Sequence, residues 1–156
     1  SFTRPADTTQ YTATDQVAAT TTAANNRNLV FEVARVPGGS GIISSAVLID
    51  STAETVRPSI DLLLFDSSVT NAADNAAVAV TDAEIERMLP NGIISFDGPA
   101  SFKVVGANGA VVVGNQNIPF VCREGSTRIY GILAVRNTYT PVSLEKLTVR
   151  LGLLQD

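Results

Sequence analysis

The sequence contains no histidine and no tryptophan, and it has a single cysteine, Cys122. Without histidine the chain cannot form a Ser-His-Asp triad, a Cys-His pair or a histidine-based metal site. One cysteine excludes an intrachain disulfide and fits a reducing compartment. Catalysis would have to rest on carboxylates, lysine, tyrosine or arginine, so we predict that the chain is not an enzyme and uses no cofactor and no metal.

Charged residues are also scarce. They make up 17% of the 156 residues and the net charge is −4, whereas an average globular chain has roughly 25% charged residues. Small uncharged residues take their place, and a surface of this kind is easily buried in an assembly. The eleven lysines and arginines are scattered singly along the sequence. We therefore predict no nucleic-acid partner, because gripping a phosphate backbone needs several converging cations.

Long apolar runs are missing as well. No run approaches the roughly 20 residues that a membrane-spanning helix needs. The first ten residues, SFTRPADTTQ, lack the basic and apolar regions of a signal peptide. We therefore expect a chain that is made in the cytoplasm and has no membrane partner.

From residue 29 onward, short apolar runs alternate with turn residues. Residues 146–154 are the clearest run, with Leu147, Val149, Leu151 and Leu153 on one face of a strand. Asn108-Gly109 predicts the turn of a hairpin, and residues 118–121 predict a further short strand. About eight to ten such strands without long helices between them predict an all-β fold. We expect an antiparallel β-sandwich of jelly-roll or Greek-key type.

One short helix is predicted at residues 82–89. Thr81 followed by Glu84 is the signature of a capping box at its start. Acidic residues in its first turns suit the positive end of the helix dipole. Pro90 and Gly92 indicate where it ends.

Residues 1–28 differ from the rest of the chain. They are rich in Thr, Ala and Asn and have few large apolar side chains, a composition that does not order itself alone. We interpret them as an N-terminal arm that precedes a β-sandwich domain at residues 29–156, with a first edge strand at residues 11–17. We predict that the arm contacts a neighbour or a larger assembly, and that the chain folds without residues 1–24. The predicted contact residues are Phe2, Arg4, Tyr11 and Val17.

Four groups of residues have a chemical as well as a structural interpretation. Cys122 beside Arg123 could be a reactive thiol, and residues 38–41, GGSG, could cradle a phosphate. Asp66, Asn71 and Asp74 could bind calcium. A glycosidase needs two paired carboxylates, which would have to come from Asp61, Asp66, Asp74, Asp82, Glu84 and Glu86.

Each chemical interpretation lacks a required element. No base is available to activate the thiol, and no lysine follows the glycines as a P-loop requires. The EF-hand pattern is absent, and no spacing pairs two carboxylates. We therefore interpret Cys122 as a buried apolar side chain, the acidic residues as outward or turn positions, and residues 38–41 as a β-turn.

The segment from Arg57 to Phe96 has the most informative motifs, in a fixed order. A strand with the pattern LxLF is followed by an aDN loop, an acidic mini-helix and a GxIxF strand. These motifs are formed here by Leu62, Leu64 and Phe65, by Ala73-Asp74-Asn75, by residues 81–89, and by Gly92, Ile94 and Phe96. Over about a quarter of the chain, this order resembles small accessory proteins encoded among the head genes of tailed bacteriophages.

The resemblance implies a structural protein of the virion. Members of that family decorate and cement the capsid, and they stabilise contacts between subunits of the major capsid protein. The resemblance also implies a homotrimer located on the capsid surface.

A second class of protein stays open at this point, namely a β-sandwich binding module for carbohydrate or for a fibre of a phage or bacterial assembly. Such modules stack sugar rings on exposed aromatic side chains. The chain has three tyrosines, and Tyr139, in a predicted loop, is the one candidate for that role. We favour a packing role for Tyr139.

Overall fold

The computed structural model of the chain describes residues 1–52, 56–98, 102–105 and 108–155, and it consists of two antiparallel β-sheets packed against each other. The first sheet contains β1 (Phe2–Thr3), β4 (Ser40–Asp50), β7 (Lys103–Val105), β8 (Asn108–Val121) and β10 (Lys146–Gln155). The second sheet contains β2 (Gln16–Val17), β3 (Leu29–Glu32), β5 (Ile60–Phe65), β6 (Met88–Phe96) and β9 (Arg128–Val135). A 3₁₀ turn at Ala23–Asn25 precedes β3, and helix α1 (Asp82–Ile85) precedes β6.

The strand order is that of a jelly roll. The first sheet runs β1-β10-β4-β8-β7, and the second runs β2-β9-β5-β6 with β3 also paired to β9. When β2 and β3 are counted as one strand and β7 is left out, the remaining eight strands can be lettered B to I in chain order. The sheets then read B-I-D-G and C-H-E-F, which is the double Greek key of a jelly roll. The predicted all-β sandwich is confirmed.

The main core lies between the two sheets because alternate side chains of each strand point inward. Ile43 and Leu48 of β4 are fully buried, and each such aliphatic side chain contributes about 1.5–3 kcal/mol to folding. A register shift at Ser44 keeps both residues on the inner face despite their odd spacing. The four leucine and valine residues predicted to share one face of β10 all pack on this core.

The outer face of the second sheet carries a smaller apolar cluster. Val69 from the loop at residues 66–81 packs on Phe65 and Ile132, and all three are buried. Among the described residues, no comparable cluster covers the outer face of the first sheet. Among the described residues, the chain's own loop therefore covers part of the outer face of the second sheet but not that of the first.

The predicted helix is shorter than the sequence indicated. It ends at Ile85 instead of residue 89, because Met88 already pairs with Phe65 as the first residue of β6. β6 lies at the edge of its sheet, which is where a strand tolerates a residue such as Pro90. Tertiary pairing thus overrides the local helical pattern after one turn.

The two strands predicted to flank Asn108-Gly109 do pair antiparallel, but the predicted position of the turn between them is wrong. Residues 108 and 109 are the start of β8 and pair with residues 105 and 104 of β7. The connecting residues 106–107 lie outside the described residues. Packing, and not a turn, explains the glycine at position 109. A Cβ there would lie 3.0 Å from the Arg57 guanidinium and the Phe102 ring. Residues 118–121 are the end of β8 and not a separate strand.

Candidate functional site

A buried polar cluster joins the start of the chain to the loop at residues 66–81. It consists of Arg4, Tyr11 and Asp74, all buried, and is called the Asp74 cluster below. The Asp74 carboxylate accepts hydrogen bonds from Arg4 Nη2 at 2.9 Å, from the Tyr11 hydroxyl at 2.6 Å and from the Ala18 backbone N–H at 2.8 Å. Arg4 Nε also donates to the Tyr11 oxygen. Residues far apart in the sequence thus share one buried carboxylate.

Burial and internal hydrogen bonds fix the protonation states of Arg4 and Tyr11 in the Asp74 cluster. Burial raises the pKa of Tyr11, and the hydrogen bond to Asp74 raises it further. Burial alone lowers the pKa of Arg4, but Tyr11 and Asp74 outweigh that effect and the pKa is raised. The guanidinium also lies 4.8 Å from the centroid of the Tyr11 ring, within cation–π range. Because Arg4 and Tyr11 keep their protons at neutral pH, the cluster acts as a structural ion pair and not as an acid–base pair.

Residues 139–147 complete the binding site for the first eleven residues. The Tyr11 and Tyr139 rings stack with centroids 6.1 Å apart, and the Tyr139 hydroxyl donates to Glu145 Oε1 at 2.7 Å. The Arg4 backbone N–H donates to the Glu145 carbonyl oxygen, and the Tyr11 backbone N–H to that of Tyr139, each at 2.8 Å. The first eleven residues are therefore held by side-chain and main-chain bonds.

The residues predicted as assembly contacts lie mostly inside the chain. Arg4, Tyr11 and Val17 are 1%, 0% and 4% exposed, and the half-buried Phe2 pairs with Leu147 of β10. In this arrangement the first three have no surface for a neighbour, because the chain's own loop supplies the carboxylate that Arg4 needs. Contact of residues 1–28 with a neighbour stays a prediction, but the segment forms β1 and β2 of the chain's own sheets. The predicted strand at 11–17 is reduced to β2 and two isolated bridges, at Tyr11 and at Asp15.

Cys122 has the environment of a core residue. Its side chain is buried, and burial raises the pKa of the thiol, with a further contribution from Glu32. Arg123, the predicted activator, pairs instead with Asp66 at 3.2 Å. The geometry therefore agrees with the interpretation of Cys122 as a small apolar side chain.

The acidic residues have separate structural partners. Asp61 accepts a hydrogen bond from the Ser95 hydroxyl at 2.7 Å and pairs with Arg136 at 3.3 Å. Glu84 accepts from the backbone N–H groups of Thr81 at 2.9 Å and Thr70 at 2.8 Å. Bonds from Thr81 and Thr70 lower the pKa of Glu84 to about 2. These bonds make the predicted capping box and also hold the loop end against α1.

The three residues considered for calcium are used for other bonds. Asp74 belongs to the Asp74 cluster, Asp66 pairs with Arg123, and Asn71 Oδ1 accepts a hydrogen bond from Gln16 at 3.0 Å. In the parts of the chain that the structure describes, no group of three or more His, Cys, Asp or Glu side chains could hold a metal ion. The turn predicted at residues 38–41 begins earlier in the chain. The Gly39 N–H donates to the Val36 carbonyl oxygen at 3.0 Å, and residues 40 and 41 already belong to β4.

Two clefts of about 440 Å³ each open on the sandwich. One lies by Phe2, Phe31 and Leu133, with Arg27 as its only charged lining side chain. The other, on the outer face of the second sheet, contains Asp61 and Arg136, which pair with each other.

The outer face of the first sheet carries the three most exposed large apolar side chains of the described residues. We define it as the outward side chains of β10, β4, β8 and β7. The strand register places Leu154, Ile42 and Pro119 in one row across it, and Arg150, Val47 and Val112 in another. Val112, Val121 and Leu154 are 67%, 65% and 63% exposed.

The same face gathers positive charge. Lys103, Lys146 and Arg150 are exposed there, at positions paired with or adjacent to its apolar rows. Asp50 is the only acidic residue in β1, β4, β7, β8 and β10, and it is fully buried. Sequence reasoning missed this grouping because Lys103 lies more than 40 residues before Lys146 and Arg150, and only the strand order brings it to their face.

Comparison of the chain with protein-family models, with curated proteins and with solved structures found no match. Within the described ranges, no helix is long and apolar enough to cross a membrane.

Proposed function

We propose that this chain is a non-enzymatic structural protein of a tailed-phage virion, which decorates and cements the capsid by binding the major capsid protein. The observation that carries the proposal is the outer face of the first sheet. In a chain of net charge −4, that face combines exposed apolar rows with three cations and no carboxylate at the described positions.

The apolar rows supply the affinity. Each Å² of apolar surface removed from water contributes about 25 cal/mol, and monomeric proteins rarely leave a large contiguous apolar patch exposed. Val112, Val121 and Leu154 are each more than 60% exposed, so their burial in a partner would be favourable. The apolar rows cross three neighbouring strands, an arrangement that suits a broad protein surface.

The cations define the partner's chemistry. Lys103, Lys146 and Arg150 favour a partner surface that offers carboxylates beside apolar side chains. The same charges disfavour a symmetric contact of this face with itself, because cations would then oppose cations. We assign the face to the capsid shell and the homotrimer contacts to other surfaces of the chain.

The mechanism is cohesive. A sandwich that lies across the boundary between two capsid subunits adds buried area that must be exposed again before the subunits separate. A homotrimer multiplies this effect, and mass action makes the stabilisation depend on occupancy. The sequence resemblance supports the same function, and its Ala73-Asp74-Asn75 motif supplies the carboxylate of the Asp74 cluster.

A carbohydrate- or fibre-binding module is the weaker proposal. Tyr139 is 3% exposed and Tyr11 is fully buried, so a sugar ring could stack on neither. The remaining tyrosine, Tyr130, is half-buried in β9.

Co-sedimentation with shells assembled from the phage's major capsid protein tests the proposal. The test variant combines Val112→Asp and Val121→Asp, which place two carboxylates on the outer face of the first sheet. The matched control is Val30→Asp, an exposed valine of β3 in the second sheet. We expect wild type and control to saturate the shells, and the double variant to bind at least tenfold more weakly.

Two results would overturn different parts of the proposal. If the wild-type protein stays in the supernatant while the shells sediment, the decoration function is wrong. If all three proteins bind equally, the function stands but the outer face of the first sheet is not the docking surface. Binding that is insensitive to ionic strength would remove the role given to the three cations.

A further inference from the structure

A strained turn connects the first eleven residues to the rest of the chain. The Thr12 backbone N–H and hydroxyl both donate to the Asp15 carboxylate, at 2.7 and 2.9 Å, which closes the turn. Thr14 within it has a φ of 77°, a left-handed conformation that is an outlier for a β-branched residue. Strain is therefore stored where the segment leaves the sandwich.

The contacts that fix residues 1–11 to the sandwich lie beyond this turn in space and far from it in sequence. β1 pairs with β10, Arg4 and Tyr11 bind Asp74, and Tyr11 stacks on Tyr139. Residues 1–11 therefore carry the groups that bind, and Asp74 together with residues 139–147 forms the groove that binds them. Only residues 12–15 make the contact intramolecular.

We infer that copies of this chain exchange their N-terminal segments, so that Arg4 and Tyr11 of one copy bind Asp74 of another. Exchange keeps every contact of the Asp74 cluster and lets Thr14 take an extended conformation, and short strained hinges favour such swapping. Four extended residues reach at most about 14 Å, so the receiving groove must lie next to the donor's turn. The inference goes beyond the proposed function, because the exchange needs no shell.

A disulfide placed between β1 and β10 distinguishes the two arrangements. Thr3 and Lys146 are directly opposite in the antiparallel ladder, and both are exposed. Their Cα separation of about 4.5–5.5 Å suits a disulfide. The full-length variant Thr3→Cys/Lys146→Cys is incubated over a dilution series, oxidised, and run on a non-reducing denaturing gel. Cys122 is buried and does not interfere.

A segment bound to its own sandwich gives an intrachain disulfide and a monomer band. Exchanged segments give covalent oligomers that grow with protein concentration and disappear on reduction, which is the result we expect. The single variants Thr3→Cys and Lys146→Cys control for random cross-linking. Monomer bands at every concentration, or equal ladders from the single variants, would overturn the inference.

A second pair of variants tests the strained turn. Glycine adopts the conformation of Thr14 without strain, so Thr14→Gly in the cysteine-pair background stabilises the closed turn. We expect it to lower the exchanged fraction on the order of tenfold per chain. Thr9→Gly, at an exposed position in the same segment, adds flexibility without relieving strain and should leave the fraction unchanged. An equal effect of both variants would show that strain at Thr14 does not favour exchange.

A failure of exchange is distinguishable from a failure of the proposed function. The cross-linking assay contains no shell, and the shell assay uses variants of Val112 and Val121 that leave the segment intact. A chain that stays monomeric but binds shells overturns the exchange alone, whereas an exchanged oligomer that ignores shells overturns the proposed function alone.

Discussion

Asp74→Asn is the substitution that tests the Asp74 cluster most sharply. The asparagine keeps the shape of the side chain but removes the charge that faces the Arg4 guanidinium at 2.9 Å. Both side chains are 0% exposed, so water cannot replace the lost partner. The substitution therefore leaves a buried cation without its counter-charge.

The magnitude follows from this burial. Breaking a buried ion pair by removing one partner costs about 3–5 kcal/mol. Arg4 has a second carboxylate nearby, Asp7, at 3.7 Å with its side chain 31% exposed. Solvent weakens that partner, so it offsets only a small part of the loss. We expect Asp74→Asn to lower the free energy of unfolding by about 3 kcal/mol.

Equilibrium unfolding in urea, followed by circular dichroism, measures this loss. The matched control is Asp7→Asn, which removes the exposed partner of the same guanidinium and should cost at most about 1 kcal/mol. The double variant Arg4→Met/Asp74→Asn removes both charges. Its loss of unfolding free energy should be smaller than the summed losses of Arg4→Met alone and Asp74→Asn alone, by about 1–3 kcal/mol.

Two outcomes would contradict this reasoning. Equal losses from Asp74→Asn and Asp7→Asn would mean that burial does not set the strength of the pair. Additive single losses in the double variant would mean that Arg4 and Asp74 do not interact, whatever their distance in the structure.

Three further predictions concern other parts of the chain. The pKa of Glu84 lies near 2 instead of 4.5, so its carboxylate stabilises the fold above about pH 4.5 and loses that effect as the pH falls toward 2. The difference in unfolding free energy between wild type and Glu84→Gln should shrink over this interval, and a constant difference would refute it. Cys122, with its raised thiol pKa, should react with Ellman's reagent only after denaturation, so rapid reaction of the native protein would contradict its burial. Deleting residues 1–24 removes β2 and two members of the Asp74 cluster. The sequence led us to expect that the remaining chain folds, but we now expect near-ultraviolet circular dichroism to show a loss of tertiary packing. A native spectrum would instead support the interpretation of these residues as a separate arm.

The sequence predicted the parts of the fold that depend on local pattern. Alternation in β10 placed its leucines on the core, and the capping box placed the start of α1 at residue 82. The end of α1 was wrong because Met88 pairs with a strand more than 20 residues earlier, at Phe65. Local propensity has no information about that pairing.

The candidate site was harder to predict, for the same physical reason. Residues 1–28 look too polar to order themselves, yet Asp74 supplies a buried carboxylate for Arg4 and Tyr11. The charges of the outer face of the first sheet are 43 residues apart at Lys103 and Lys146, and the strand order alone brings them to one surface. The one available signal was Asp74 itself, but its place in an Asp/Asn-rich loop favoured an outward or turn position. That interpretation is wrong, because Asp74 is buried.

The most direct test of the proposed function is an electron cryo-microscopy reconstruction of the virion or of shells incubated with the purified chain. Our account predicts a jelly-roll density on the shell exterior whose outer face of the first sheet, with Val112 and Arg150, lies against the major capsid protein. An undecorated shell would contradict the function, and a sandwich that faces the shell with its second sheet would contradict the docking surface.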